Sequence, residues 1–160
     1  SAVFRDPAAA ALAGGPEATP EPIVFAALSD DQWAALGVVG TLKIRPIVFQ
    51  SATSLLTLEG KATIDRIAED LRHYPRFRIL LRGHTTPDGD AEANLALSRD
   101  RAEAVANYLR RVHDVTATRL KVEGVGGTMP LPQEEGESPR RWKSRLPRVE
   151  LLLVEDPAVE

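Results

Sequence analysis

The sequence predicts a two-layer α/β sandwich in the order β-α-β-α-β-β, with a mixed sheet and helices on one face. Three observations predict it. Two stretches place apolar residues at a helical period. Four short stretches are rich in β-branched and apolar residues. The two kinds alternate along the chain until the last two strands follow one another. Alternation of this kind implies parallel pairing between strands that a helix connects.

The elements follow in order. Leu42 to Gln50 is β-rich, and Pro46 inside it suggests an edge strand or a bulge. Residues 59–73 read as a helix, because Ile64, Ile67, Ala68 and Leu71 fall on one core-facing stripe. His73-Tyr74-Pro75 stops it. From Phe77 to Gly83 the residues alternate, with Phe77, Ile79 and Leu81 facing one way and Arg78, Leu80 and Arg82 the other. Residues 91–112 form a second, longer helix with Asp90 as its N-cap. Arg119 to Glu123 is a short strand, Gly124 to Pro147 a long polar loop, and Arg148 to Val154 the last strand.

Upstream, residues 1–22 are rich in Ala and Pro and read as a linker or upstream remnant. Residues 23–40 form a short helical lead-in: Ser29 caps a turn beginning Asp30-Asp31-Gln32-Trp33, and Gly37 ends it. The domain proper then spans 41–155, and 156–160 is a tail.

Composition bounds the function. A chain of 160 residues with a formal net charge of −3 fits one globular domain and exerts no global attraction on nucleic acid or anionic lipid. The absence of cysteine excludes a disulfide, a thiolate nucleophile and a cysteine-based zinc site. Nothing apolar approaches the length of a membrane span, so this fragment is not expected to insert directly into a membrane. The chain begins at Ser1, without an initiating Met or a signal-peptide pattern. It reads as a processed or excised fragment with any export signal upstream.

The second helix is the most informative element. At about 100° per residue, Leu95, Ala102, Val105, Ala106 and Leu109 cluster on the core side, and Arg99, Asp100, Glu103, Asn107, Arg110 and Arg111 on the solvent side. Asn94, Ser98 and Arg101 fall in the core-facing half, where polar groups need partners. Two readings are open. Either they bond local backbone, such as carbonyls of the 84–90 loop, or they line a pocket at the helix N-terminus suited to a carboxylate.

That loop, Gly83-His84-Thr85-Thr86-Pro87-Asp88-Gly89-Asp90, concentrates carboxylates, hydroxyls and a histidine. A metal site would need three convergent ligands, and His73 and His113 lie on other elements, so none is expected. His84 reads as a structural hydrogen-bonder, and Asp88 and Asp90 as turn and cap residues. No phosphate-binding loop, nucleophile elbow or His-Glu-x-x-His occurs, and no catalytic residue or cofactor is expected. Arg140, Arg141, Lys143, Arg145 and Arg148 surround Trp142, but Glu134, Glu135 and Glu137 offset them. A self-neutralised loop is the better reading than a nucleic-acid site.

Residues 83–102, from Gly-His-Thr-Thr-Pro-Asp-Gly through Asn94 to Leu-Ser-Arg-Asp-Arg-Ala, resemble the signature of OmpA-like C-terminal domains. The spacing Gly-His-Thr-Asp-x-x-Gly-x-x-x-x-Asn-x-x-Leu-Ser-x-x-Arg-Ala is matched without a gap. Ile47-Val48-Phe49 upstream, and Arg119-Leu120, Gly124-Val-Gly126, Pro130 and Arg148-Val-Glu150 downstream, extend the likeness over about 115 residues. The resemblance implies a periplasmic, membrane-tethered module of the Gram-negative envelope that binds peptidoglycan non-covalently. In the family the Asp and Arg of the signature grip the amine and carboxylate of diaminopimelate in the stem peptide. By that resemblance the ligand-binding positions are Thr86, Asp88, Asn94, Ser98, Arg101 and Arg148.

Two departures narrow the expectation. The family Asp is Thr86 here, and the usual Asn-Arg-Arg-Val-Glu reads Leu146-Pro147-Arg148-Val149-Glu150. A threonine cannot supply the charge that pairs with an ammonium, and Asp88 is the nearby candidate to replace it. A similar pattern marks a subgroup attached to periplasmic phosphate-type solute-binding modules. The alternative is a protein–protein scaffolding domain that keeps the fold and has lost wall binding.

Overall fold

The computed structural model describes residues 22–159. The expected linker over 1–22 lies outside the described residues, apart from Pro22. The elements are α1 (Asp30–Ala34), β1 (Gly37–Thr41), α2 (Leu58–Leu71), β2 (Arg78–His84), α3 (Ala91–His113), a 3-10 turn (Ala117–Arg119), β3 (Leu120–Gly124), α4 (Pro139–Ser144) and β4 (Arg148–Glu155). The strands form one mixed sheet in the order β1-β4-β2-β3. Only β2 and β3 pair in parallel; β4 runs antiparallel to both β1 and β2. Parallel pairing thus holds for the strands that α3 connects. It fails for those that α2 connects, because β4 inserts between β1 and β2.

The long helices behave as their periodicity requires. Ile64, Ile67, Ala68 and Leu71 of α2, with Ala102, Val105, Ala106 and Leu109 of α3, are buried against Ile79, Leu81, Val149, Leu151 and Leu153 of the sheet. Each such Ile, Leu or Val side chain contributes roughly 1.5–3 kcal/mol when fully buried. Thr57 caps α2 by accepting from Gly60, and Asp90 caps α3 by accepting from Ala93. Asp114 ends α3 in the left-handed conformation, with φ 56°.

The strand expected at Leu42–Gln50 is not one. The first strand is Gly37–Thr41, all but its last residue within the segment read as the lead-in. The ladder reaches one bond further, from the Leu42 N–H to the Leu151 carbonyl, and then stops. Pro46 has no N–H for a ladder, and the chain instead turns Leu42 and Ile47 into the core. The long loop also contains a helix that was not expected. In α4, Ser138 accepts from the Arg141 N–H and Pro139 occupies the first turn.

The face of the sheet turned away from α2 and α3 is covered at one end by the lead-in. Arg78 points that way, as the alternation predicts, yet is 1% exposed. Its Nε donates to Asp156 Oδ2 at 2.7 Å and its Nη1 to the Thr118 carbonyl at 2.6 Å. Its guanidinium lies 5.4 Å from the Phe25 ring and 5.3 Å from the Trp33 ring. Phe25 also faces Arg119 at 5.4 Å, and Lys121 pairs with Asp30. Asp156, placed in the expected tail, is buried in this cluster.

Removing one partner of a buried ion pair strands the other charge. Asp156→Ala is therefore expected to destabilise the domain by about 3 kcal/mol, read as a lower urea midpoint at unchanged m-value.

Candidate functional site

The signature folds into one unit: the end of β2, the loop 84–90 and the first three turns of α3. Its geometry rests on close approach. A Cβ at Gly83 would lie 1.9 Å from the Ser98 carbonyl oxygen, and one at Gly124 2.5 Å from the Arg99 nitrogen. Only glycine lets α3 lie this near β2 and β3. Ser98, 0% exposed, fastens the contact. Its hydroxyl donates to the Leu95 carbonyl at 2.9 Å and accepts from the Gly126 N–H at 3.0 Å. The Thr85 N–H in turn donates to the Gly126 carbonyl at 2.8 Å.

Asn94 closes the loop on itself. Its Nδ2 donates to the Asp88 carbonyl at 2.9 Å and to the Thr86 carbonyl at 3.3 Å. For Asn94 and Ser98 the local-backbone reading therefore describes the contacts seen. Thr86, Asp88 and Asn94 are brought together by these bonds, and Ser98 sits one turn further along α3. The Asp88 carboxylate, 62% exposed, is engaged by Lys143 of α4 at 3.3 Å. This contact joins the basic loop to the candidate site. Nothing in the spacing of the sequence signalled it.

Arg101 is held apart from this group. Its Nε donates to the Thr53 carbonyl at 2.8 Å, and its guanidinium stacks 5.1 Å from the Phe49 ring. Desolvation by burial lowers its pKa from the usual guanidinium value. Among the described residues no acceptor meets its terminal nitrogens. They remain available to a planar anion such as a carboxylate. Phe49 was missed as a partner because it lies in the segment expected to be a strand, and Thr53 because it lies in the turn that follows that segment.

Arg148 belongs to a different constellation. Its Nη1 donates to the Leu146 carbonyl at 2.7 Å, its Nη2 to the Met129 carbonyl at 3.3 Å and its Nε to Glu150 at 3.2 Å. His84, 2% exposed, meets the other oxygen of Glu150 through Nε2 at 2.7 Å. This fits the reading of His84 as a structural hydrogen-bonder. The hydrogen bond from His84, with Arg148 adding to it, lowers the Glu150 carboxyl to about 2. Leu95, placed on the core side by its phase, is 43% exposed. It lies beside the turn at Gly126, where an added Cβ would lie 3.4 Å from its Cδ2.

The basic loop is neutralised only in part by its own acids: Arg145 pairs with Glu137 within it, while Lys143 pairs with Asp88 and Arg148 with Glu150 outside it. Arg145 forks onto both oxygens of Glu137 at 2.6 and 2.8 Å, and the Trp142 indole donates to the Leu131 carbonyl at 2.6 Å. A cleft of about 440 Å³ lies at the far end of α3, lined by Phe25, Leu71, His113 and Arg119. Among the described residues no cluster of three or more His, Asp or Glu is placed to hold a metal. No helix there is long and apolar enough to cross a membrane.

These features define a two-layer α/β module in which Thr86, Asp88, Asn94 and Ser98 gather at one loop–helix junction, with no nucleophile–base pair among them. Residues 48–142 match the OmpA family, and the chain belongs to it. It is 30% identical over 107 residues to the probable lipoprotein YiaD of Escherichia coli K12, covering 67% of this chain and 47% of the relative. It is 33% identical over 85 residues to the peptidoglycan-associated lipoprotein of Rhizobium meliloti 1021, covering 53% of this chain and 48% of the relative. The chain spans about half the length of these curated relatives. The periplasmic domain of Helicobacter pylori MotB superposes with a TM-score of 0.61 at 23% identity, covering 76% of this chain and 88% of that one, and so shares the fold. None of these names is an enzyme's, in agreement with the non-catalytic reading.

A carboxylate whose folded pKa is depressed contributes stability above its unfolded value and loses it as pH falls. For Glu150 that loss spans the window from 4.5 down to about 2. Carboxyl-detected NMR should place the Glu150 midpoint near the bottom of that window. In His84→Gln the midpoint should move up toward 4.5.

Proposed function

We propose that the domain is a non-catalytic module of the periplasm that associates non-covalently with peptidoglycan through an altered diaminopimelate site. The observation that carries this reading is the preserved unit of loop 84–90 and α3. There Asn94 braces the loop at the helix N-terminus. Arg101, just under two turns further along the same helix, keeps its terminal nitrogens for a ligand carboxylate. Membership of the OmpA family and the name of the Rhizobium relative support it. The stem peptide presents carboxylates, which Arg101 suits, and an ammonium, for which Thr86 offers only a hydroxyl and a carbonyl already bonded to Asn94.

Arg148 is a weaker member of the proposed set. Its guanidinium is committed to Leu146, Met129 and Glu150, so in this reading it shapes the rim instead of gripping ligand.

A second reading has its own observation. Thr86 stands where the family carries an acid, and the acid nearest to it in sequence, Asp88, is already paired with Lys143. A scaffold that contacts a protein in the envelope needs neither charge. The two readings separate by experiment.

Purified sacculi should co-sediment with the domain. Arg101→Ala should weaken that association about 10- to 150-fold, the value of one charge-assisted hydrogen bond. Absence of co-sedimentation, or an Arg101→Ala variant that binds unchanged, contradicts the wall-binding reading. The scaffolding reading expects no diaminopimelate binding by the unmodified domain and its appearance in Thr86→Asp, measured by calorimetry. Tight binding by the unmodified domain contradicts it.

A further inference from the structure

α4 is held in place by contacts of its own. Ser138 caps it, Pro139 sets its first turn, and the Trp142 indole and the Arg145–Glu137 fork pin it to the loop that carries it. It therefore presents Lys143 to the 84–90 loop from a fixed base. Lys143 Nζ lies 3.3 Å from Asp88 Oδ2. Asp88 is the acidic side chain nearest in sequence to Thr86, and its backbone is already fastened by Asn94. Its carboxylate is thus the group best placed to receive a ligand ammonium, and it is met by an ammonium of the chain itself. Arg140 lies one turn before Lys143 on the same face of α4 and adds a second positive charge there.

We propose that Lys143 is a specificity-determining residue of the candidate site: an internal competitor that holds Asp88 against ammonium-bearing ligands. The inference rests on the wall-binding reading and deepens it. A ligand that brings both a carboxylate and an ammonium must displace Lys143 to use Asp88. A ligand that brings carboxylates alone leaves the pair intact and also meets the positive face of α4. The domain then discriminates against a free amino group at this rim and tolerates a masked or absent one. Both partners are substantially exposed, 48% for Lys143 and 62% for Asp88, so the competition is modest and sensitive to salt.

The test uses two probes, meso-diaminopimelate and pimelate, which differ in the amino groups. Binding is measured by calorimetry at low ionic strength on the whole chain, with Lys143→Gln, Asp88→Asn and the double variant. Lys143 is exposed, so its replacement leaves the core intact. Lys143→Gln is expected to bind diaminopimelate about 1.5- to 5-fold more tightly than the unmodified chain, with no gain for pimelate. The double variant is expected to lose that gain. Unchanged or weakened diaminopimelate binding by Lys143→Gln overturns the proposal, as does an equal gain for both probes or a gain that survives Asp88→Asn. If Lys143→Gln fails in this way yet still co-sediments with sacculi in an Arg101-dependent manner, the competitor role falls and the wall-binding reading stands.

Discussion

The structure depends on how near α3 can come to the sheet. A helix packed on a sheet through ordinary side chains keeps the two backbones well apart. Here glycines remove the spacers: a Cβ on Gly83 or Gly124 would strike the backbone of α3 at Ser98 or Arg99. Gly127 does the same for the loop, where a Cβ would lie 2.4 Å from Pro87 Cα. Ser98 then reaches Gly126, Thr85 reaches the same residue, and Asn94 reaches back to Thr86 and Asp88. The candidate site is the surface of this compressed junction. Its polar residues serve first to satisfy backbone groups that close packing has taken from water.

A second constraint gathers the two ends of the described chain on the opposite face. Arg78 is the charged residue that the strand alternation sends outward, and it ends up as buried as the core. Phe25 and Trp33 cover it from the N-terminal side, and Asp156 neutralises it from the C-terminal side. An unpaired guanidinium there would be costly, so the lead-in and the residue after β4 are parts of the fold rather than appendages.

Much of this was legible in the sequence. The periodicity of Ile64 to Leu71 and of Ala102 to Leu109 located both long helices and their buried faces. Asp90, Ser29 and the alternation around Ile79 located caps and a strand. What was missed has physical causes. β1 holds two glycines in five residues and so lacks a strand's usual composition, while the apolar run after it leaves the ladder at Leu42 and contains Pro46, which has no N–H to donate to one. α4 is short, but its Ser138-Pro139 start was a readable helix signal. Ser98 was correctly placed toward the core, while Asn94 is half-buried against the 84–90 loop, and phase alone could not separate backbone bracing from ligand binding. The contact between Lys143 and Asp88 joins residues 55 positions apart and is a product of tertiary structure.

The central claim is that a stem-peptide ligand meets this junction, through residues 84–90, Asn94 and Arg101. Backbone amide chemical-shift mapping, titrating the labelled domain with a soluble muropeptide that carries diaminopimelate, tests it most directly. The account predicts that the largest shifts fall in the 84–90 loop, the first turns of α3 and the Thr53 segment beside Arg101. Shifts confined to α1, β1 and the outer face of the sheet, or no saturable shifts at all, would contradict it.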